Sequence, residues 1–152
     1  MGVAPGAGWS AGTNANPAGL QQFVDAVISV ASVEYRFIQD AMDAGIEPPV
    51  RAPLYDAARA IQVLRSRAGE LNFDKKRVAY MGGSAGACTS LWLALHDDIA
   101  DPASSDPIAR ESTKPTLIAI TSQQTSLDPP QTRSCIPNIA SRGPPFRFPK
   151  VS

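Results

Sequence analysis

One stretch of the sequence, from Arg77 to Leu95, constrains the fold of this chain more than any other. A short run of β-branched and aromatic residues ends at Met81 and meets the turn Gly82-Gly83-Ser84-Ala85-Gly86. An apolar pattern with helical spacing follows at once. Glycine lets two backbones approach closely and adopts conformations that other residues avoid. The stretch therefore predicts a strand over Arg77–Met81, a tight turn, and a helix that ends near Leu95.

The serine at the centre of this turn is the main candidate for chemistry. Glycines stand two positions before it and two positions after it, which is the spacing of a nucleophile elbow. An elbow holds the serine hydroxyl exposed above the sheet, and the N–H of Ala85 at the helix N-terminus is placed to donate to a developing oxyanion. We interpret Ser84 as a nucleophile, with Gly82, Gly83 and Gly86 shaping its turn.

A phosphate-binding glycine loop is the alternative interpretation, because a strand-glycine-helix junction also suits a dinucleotide. Aligned on Gly82, however, the dinucleotide pattern requires its second glycine at Ser84 and its third at Ala87. A serine side chain would then stand where the backbone must approach a pyrophosphate. The spacing of the glycines therefore favours the interpretation of Ser84 as a nucleophile.

Apolar spacing and turn residues predict the remaining elements. The helix at Pro17 is expected to bury Leu20, Phe23, Val24 and Val27 on one face. In chain order we expect a helix over Pro17–Ala26, a buried strand over Ile28–Tyr35, a loop over Gln39–Ala52, a helix from Pro53 and a strand over Thr116–Ile120. Strands that alternate with helices indicate an α/β fold, here a three-stranded parallel sheet with helices around it. Residues 1–128 would form this domain, and 129–152 a proline-rich irregular tail.

Composition excludes several classes of function. The chain has 14 basic and 14 acidic residues, so its zero net charge gives no reason to expect nucleic acid or an anionic membrane as a partner. No apolar run approaches the roughly 20 residues of a membrane span, and the N-terminus lacks the pattern of a signal peptide. We expect a cytoplasmic location. The spacing of Cys88 and Cys135 does not resemble a metal site, and we expect no metal and no organic cofactor.

Several ordered motifs together resemble the α/β-hydrolase superfamily, in particular bacterial carboxylesterases of the hormone-sensitive-lipase and feruloyl-esterase-like type. The motifs are Ile28 to Arg36, Pro53 to Ala60 and Gly82 to Ala87. Pro5-Gly6-Ala7-Gly8-Trp9 occupies the place of the His-Gly-Gly-Gly-Trp oxyanion loop of such enzymes. The resemblance covers Gly6 to Asp128.

The resemblance implies hydrolysis of small-molecule carboxylic esters. Ser84 would be the nucleophile, and the backbone N–H groups of Ala85 and of Gly6 or Ala7 would form the oxyanion hole. Two departures stand against it. Pro5 replaces the histidine of the oxyanion loop, and the triad histidine expected near the C-terminus is missing, because His96 is the only histidine.

His96 and Asp128 are the remaining candidates for a triad. If the helix after Ser84 is unbroken, His96 lies roughly 18 Å along it, whereas a general base must be within about 3 Å of the hydroxyl. Asp128 follows the third strand and is the candidate acid, although a turn with Pro129 also explains it. The alternative hypothesis is a hydrolase fragment, truncated at both ends, that has no turnover or only binds a partner. Exposed sheet edges would then favour self-association.

Overall fold

The computed structural model describes residues 1–13, 15, 17 and 19–122. Four strands and four α-helices are present in this part of the chain, together with one short 3-10 turn at Ala7–Trp9. The strands are β1 Gly2–Ala4, β2 Ala31–Ser32, β3 Ala79–Gly83 and β4 Leu117–Thr121. The helices are α1 Leu20–Asp25, α2 Ile38–Asp43, α3 Arg51–Ser66 and α4 Ala85–Leu95.

The sheet is parallel throughout and has the order β2-β1-β3-β4. This confirms the α/β class and corrects the number of strands from three to four. The additional strand, β1, has only the three residues Gly2 to Ala4, which is too short to show a periodic pattern. All three are buried, because β1 lies between β2 and β3 in the middle of the sheet.

The core is built around α3, α4 and the two central strands. Helix α4 packs against β1, β3 and β4, and it also contacts α3 and the 3-10 turn at Ala7–Trp9. Trp9, Tyr80, Ile61 and Leu93 are among the largest fully buried side chains. The helix predicted from Pro53 begins two residues earlier, at Arg51, and Pro53 lies in its first turn, where a missing N–H costs no hydrogen bond.

Three predictions between Pro17 and Ala52 were inaccurate. The first helix is shorter than predicted, and Val24 on its apolar face is 51% exposed. Val27 lies beyond the end of the helix, with a φ of 58°, and is 94% exposed. Of the predicted strand, only Ala31–Ser32 is paired in the sheet, because the neighbouring β1 is itself so short. Val33 extends this pairing by one hydrogen bond, from its N–H to the Val3 carbonyl. The predicted loop over Gln39–Ala52 contains α2 and the start of α3.

The Asp40 side chain explains why a helix forms at α2. Its carboxylate accepts a hydrogen bond of 2.7 Å from the N–H of Phe37, the residue immediately before the helix. This satisfies a backbone donor that the helix itself leaves unpaired. The proposed boundary at residue 128, the tail and Cys135 lie outside the described residues.

Candidate active site

Ser84 lies between the end of β3 and the start of α4, in a conformation that few non-glycine residues adopt. Its φ is 53° and its ψ is −117°, and its side chain is exposed. Two backbone hydrogen bonds hold the peptide: the Ser84 N–H donates to the Thr121 carbonyl of β4 at 3.0 Å, and the Ser84 carbonyl accepts from the Cys88 N–H at 3.1 Å. A positive φ of this kind costs on the order of 1–3 kcal/mol and persists only where the surroundings enforce it.

The glycines around Ser84 are required by close backbone contacts. A Cβ on Gly82 would lie 2.6 Å from the carbonyl carbon of Gly86, and a Cβ on Gly86 would lie 2.6 Å from the carbonyl oxygen of Ala4. Both contacts are far inside ordinary van der Waals separation. The glycines thus allow α4 to start directly against β3 and β1, and the strand, turn and helix predicted from the sequence are present. Gly83 faces the Thr121 side chain, and a Cβ on Gly83 would lie 3.0 Å from Thr121 Oγ1.

The segment Pro5–Trp9, which we call the oxyanion loop after the loop that its sequence resembles, reaches the same edge of the sheet. It follows β1, and Ala4 at the end of that strand is in register with Gly82 of β3. A Cβ on Gly6 would lie 3.0 Å from the Gly83 carbonyl oxygen and 3.6 Å from the Ser84 Cβ. The carboxyl ends of the two central strands therefore bring this loop and Ser84 into contact.

The oxyanion loop has a left-handed backbone over three consecutive residues. The φ values of Ala7, Gly8 and Trp9 are 56°, 63° and 56°. For the two non-glycine residues this costs about 1–2 kcal/mol each. Ser10 closes the turn, because both its N–H and its hydroxyl donate to the Ala7 carbonyl, at 3.1 Å and 2.8 Å.

Side chains from two other parts of the chain hold this loop. The indole N–H of Trp9 donates to Thr89 Oγ1 at 3.0 Å, and that hydroxyl donates to the carbonyl of Ala85, also at 3.0 Å. The Tyr35 hydroxyl donates to the Pro5 carbonyl at 2.8 Å. Burial raises the pKa of Tyr35 to about 12, so this hydroxyl keeps its proton at neutral pH. The sequence analysis did not identify Tyr35 or Thr89 as site residues.

His96 is remote from Ser84. Helix α4 is unbroken from Ala85 to Leu95, and His96 is the residue that follows it. Its ring lies 4.4 Å from the ring of Trp92, and its Nδ1 is 2.9 Å from the Asp97 carbonyl oxygen. A helix of this length puts His96 roughly 18 Å from the serine. The contacts of His96 with Trp92 and Asp97 are those of a residue at a helix end. Lys114 caps this end by donating to the carbonyls of Ala94 and His96.

The acidic residues near the predicted motifs have structural partners. Asp56 accepts two hydrogen bonds from the Arg36 side chain, at 2.8 Å and 2.6 Å, and one from the Arg36 N–H at 3.0 Å. Asp98 accepts from the N–H and the hydroxyl of Thr113, both at 2.9 Å. Asp128, the candidate acid, lies outside the described residues. Within the described ranges, no group of three or more His, Cys, Asp or Glu side chains is arranged to hold a metal ion.

Comparisons with known proteins agree with this fold. The sequence model of the BD-FAE family matches residues 3–129. Among solved structures, the chain is similar to an acetyl ester-xyloside bifunctional hydrolase from Caldicellulosiruptor lactoaceticus, with a TM-score of 0.68 and 27% identity over 83% of this chain and 44% of that one. It is also similar to propionate-bound esterase 2 from Thermogutta terrifontis, with a TM-score of 0.64 and 20% identity over 93% of this chain and 48% of that one.

The chain thus spans less than half the length of either of these structures. A comparison with curated proteins finds no match. None of the helices in the described ranges is both long and apolar enough to cross a membrane.

Proposed function

Because the chain belongs to the BD-FAE family of esterases, we propose that it is a serine-dependent carboxylic ester hydrolase with Ser84 as its nucleophile. The observation that supports this best is the backbone of Ser84. A strained, positive φ at an exposed serine, enforced by glycines on both sides, is retained where it serves a function. A turn that only connected β3 to α4 would be less strained with glycine at this position.

The proposed reaction proceeds through an acyl-enzyme. Ser84 Oγ attacks the carbonyl carbon, and the carbonyl electron pair moves onto its oxygen, which accepts hydrogen bonds from the N–H of Ala85 and of Gly6 or Ala7. The electron pair then returns, the bond to the alcohol breaks, and the alcohol leaves with a proton. Water attacks the acyl carbon in the same way and releases the acid and the free serine. No metal or organic cofactor takes part in these steps.

The proton of Ser84 needs an acceptor, and we assign none among the described residues. His96 is too far along α4 to reach it within one chain. In a hydrolase whose triad has been removed, the oxyanion hole and substrate binding still accelerate hydrolysis about 10³- to 10⁴-fold over the reaction in water. We therefore expect slow hydrolysis of activated esters by this chain.

Covalent labelling at Ser84 is the test. The solved Thermogutta terrifontis esterase 2 is phosphonylated by sarin and by cyclosarin, which suggests a fluorophosphonate as the probe. We expect peptide mass mapping to place the label on Ser84 and on no other serine. Ser84→Ala abolishes it, whereas Ser66→Ala, at the surface end of α3, retains it. Absence of label on folded protein refutes the proposal.

Turnover separates this function from the alternative, a hydrolase fragment without catalysis. The position of the only histidine, at the far end of α4, favours the alternative. Hydrolysis of p-nitrophenyl acetate and butyrate that is lost in Ser84→Ala and unchanged in His96→Ala supports an esterase without a histidine base. Labelling without turnover supports the fragment, and loss of activity in His96→Ala contradicts the assignment of His96 to the helix end.

We also propose that the chain self-associates through β4, the outer strand next to β3 in the described part of the sheet. Unpaired strand edges template association, and Leu117 on this strand is 60% exposed. Light scattering should show dimers or larger species that become monomers in Leu117→Lys. Leu71→Lys, at an equally apolar exposed position after α3, should leave association unchanged. A monodisperse wild-type monomer contradicts the proposal.

A further inference from the structure

We propose that Tyr35, Trp9 and Thr89 are positioning residues that hold the oxyanion loop in its active conformation. This rests on the proposed function, because it assigns the three side chains to the oxyanion hole beside Ser84. All three are buried, so they act on a bound ester only through the loop and the first turn of α4.

The oxyanion loop needs such support because of its backbone. Three consecutive residues, Ala7 to Trp9, have positive φ, and only Gly8 adopts this region without strain. Without external contacts, Ala7 and Trp9 would relax towards negative φ, which rotates the peptide groups between them. The N–H of Ala7, one of the proposed oxyanion donors, would then change its orientation relative to Ser84.

The first contact joins the end of the loop to α4. Thr89 Oγ1 accepts a hydrogen bond from the Trp9 indole N–H and donates one to the Ala85 carbonyl, so this one hydroxyl binds both partners at 3.0 Å. Trp9 is 1% exposed and Thr89 is 0% exposed, so water does not compete for either bond. The loop is thereby tied to the residue whose N–H is the other proposed oxyanion donor.

The second contact holds the start of the loop. The Tyr35 hydroxyl, which comes from the segment after β2, lies 2.8 Å from the Pro5 carbonyl oxygen and 3.4 Å from that of Gly6. A hydroxyl has one proton, so the shorter contact is the hydrogen bond. Hydrogen bonds to Tyr35, in the segment after β2, and to Thr89 of α4 thus fix the loop at both ends, and the strained residues lie between these contacts.

The variants Tyr35→Phe and Thr89→Val remove one hydroxyl each with little change in volume, whereas Trp9→Phe removes the indole N–H together with part of a buried ring. Tyr55→Phe is the matched control, because its ring packs on Trp92 away from the loop. The probes are paraoxon and its thiono analogue, which differ only in the oxygen or sulfur that enters the oxyanion hole. Sulfur accepts hydrogen bonds weakly, so the ratio of the two rate constants for modifying Ser84 reports on the hole.

We expect the oxo-to-thiono ratio to fall about tenfold in each of the three variants, a partial loss compared with deletion of a donor. The control keeps the wild-type ratio. A defect in folding alone lowers both rate constants together and leaves the ratio unchanged. Thr89→Ser, which retains the hydroxyl, should restore the ratio that Thr89→Val loses.

Amide hydrogen exchange provides a readout that does not need a reactive serine. We expect the amide of Ser10, which donates to the Ala7 carbonyl at 3.1 Å, to exchange about tenfold faster in the three variants than in wild type and in Tyr55→Phe. Unchanged exchange, or an unchanged ratio in labelled protein, overturns the positioning role. If paraoxon fails to modify wild-type Ser84, the proposed function fails, and hydrogen exchange alone decides whether these side chains hold the loop.

Discussion

Replacement of Gly82 by alanine tests whether the turn at Ser84 depends on direct contact between β3 and α4. The added Cβ would lie 2.6, 2.7 and 2.8 Å from three backbone atoms of Gly86, where ordinary contact begins at 3.4 Å. Backbone atoms cannot rotate away as a side chain would, so α4 must move by almost 1 Å. Overpacking of this kind costs about 2–3 kcal/mol, which exceeds the gain of about 0.5–1 kcal/mol from a stiffer unfolded chain.

Urea unfolding followed by tryptophan fluorescence measures this difference. With a slope near 2 kcal/mol per molar urea, the midpoint should fall by about 1 M. Gly69→Ala is the matched control, since nothing lies within 4 Å of its added Cβ and its φ is not positive. It should be neutral or slightly stabilising. If the unfolding free energies of the two variants agree within about 0.5 kcal/mol, the contact does not determine the turn.

Two further predictions concern buried or paired polar groups. Burial alone raises the pKa of Asp56, but its hydrogen bonds from Arg36 outweigh this and hold the pKa below the ordinary value. The pair should therefore stabilise the fold fully above about pH 5 and lose its contribution progressively as the pH falls below about 4. Asp56→Asn should cost about 1 kcal/mol at pH 7 and less at pH 3 in unfolding measurements. The Tyr80 hydroxyl is buried without a hydrogen-bond partner among the described residues, so Tyr80→Phe should be neutral or raise the unfolding free energy by about 1 kcal/mol. A loss above about 1 kcal/mol in thermal or urea unfolding would show that this hydroxyl has a partner.

The parts of the fold that the sequence predicts are those with short-range signals. The turn at Ser84 needs only a strand pattern, three glycines and an apolar helix in one stretch, and α4 ends where its pattern ends, at Leu95. The periodicity predicted a helix at α1, yet Val24 is exposed and Val27 lies beyond the helix end, because a pattern does not say where the helix stops or whether another element covers its face. Strand β1 has too few residues to carry a pattern at all.

The support of the oxyanion loop could not be predicted, because it depends on contacts between distant residues. Trp9 and Thr89 are 80 positions apart, and Tyr35 and Pro5 are 30 apart. The glycine-rich loop sequence indicated an oxyanion loop by resemblance, but not that Ala7 and Trp9 would adopt positive φ. The pairing of β1 with β2 on one side and with β3 on the other brings these residues together, and that pairing follows from packing.

The proposed mechanism divides into two tasks, stabilisation of the oxyanion and deprotonation of the serine. In that mechanism the oxyanion is stabilised by the N–H of Ala85 and by the loop, which lie at the carboxyl ends of adjacent strands in the register of Ala4 on Gly82. Deprotonation of the serine depends on a base, and α4 carries the only histidine away from the site. A change in the loop should therefore alter the discrimination between oxygen and sulfur probes whether or not a base is supplied. Slow turnover, by contrast, results from a missing base as well as from a defective oxyanion hole, so the ratio of the two probes is the measurement that separates them.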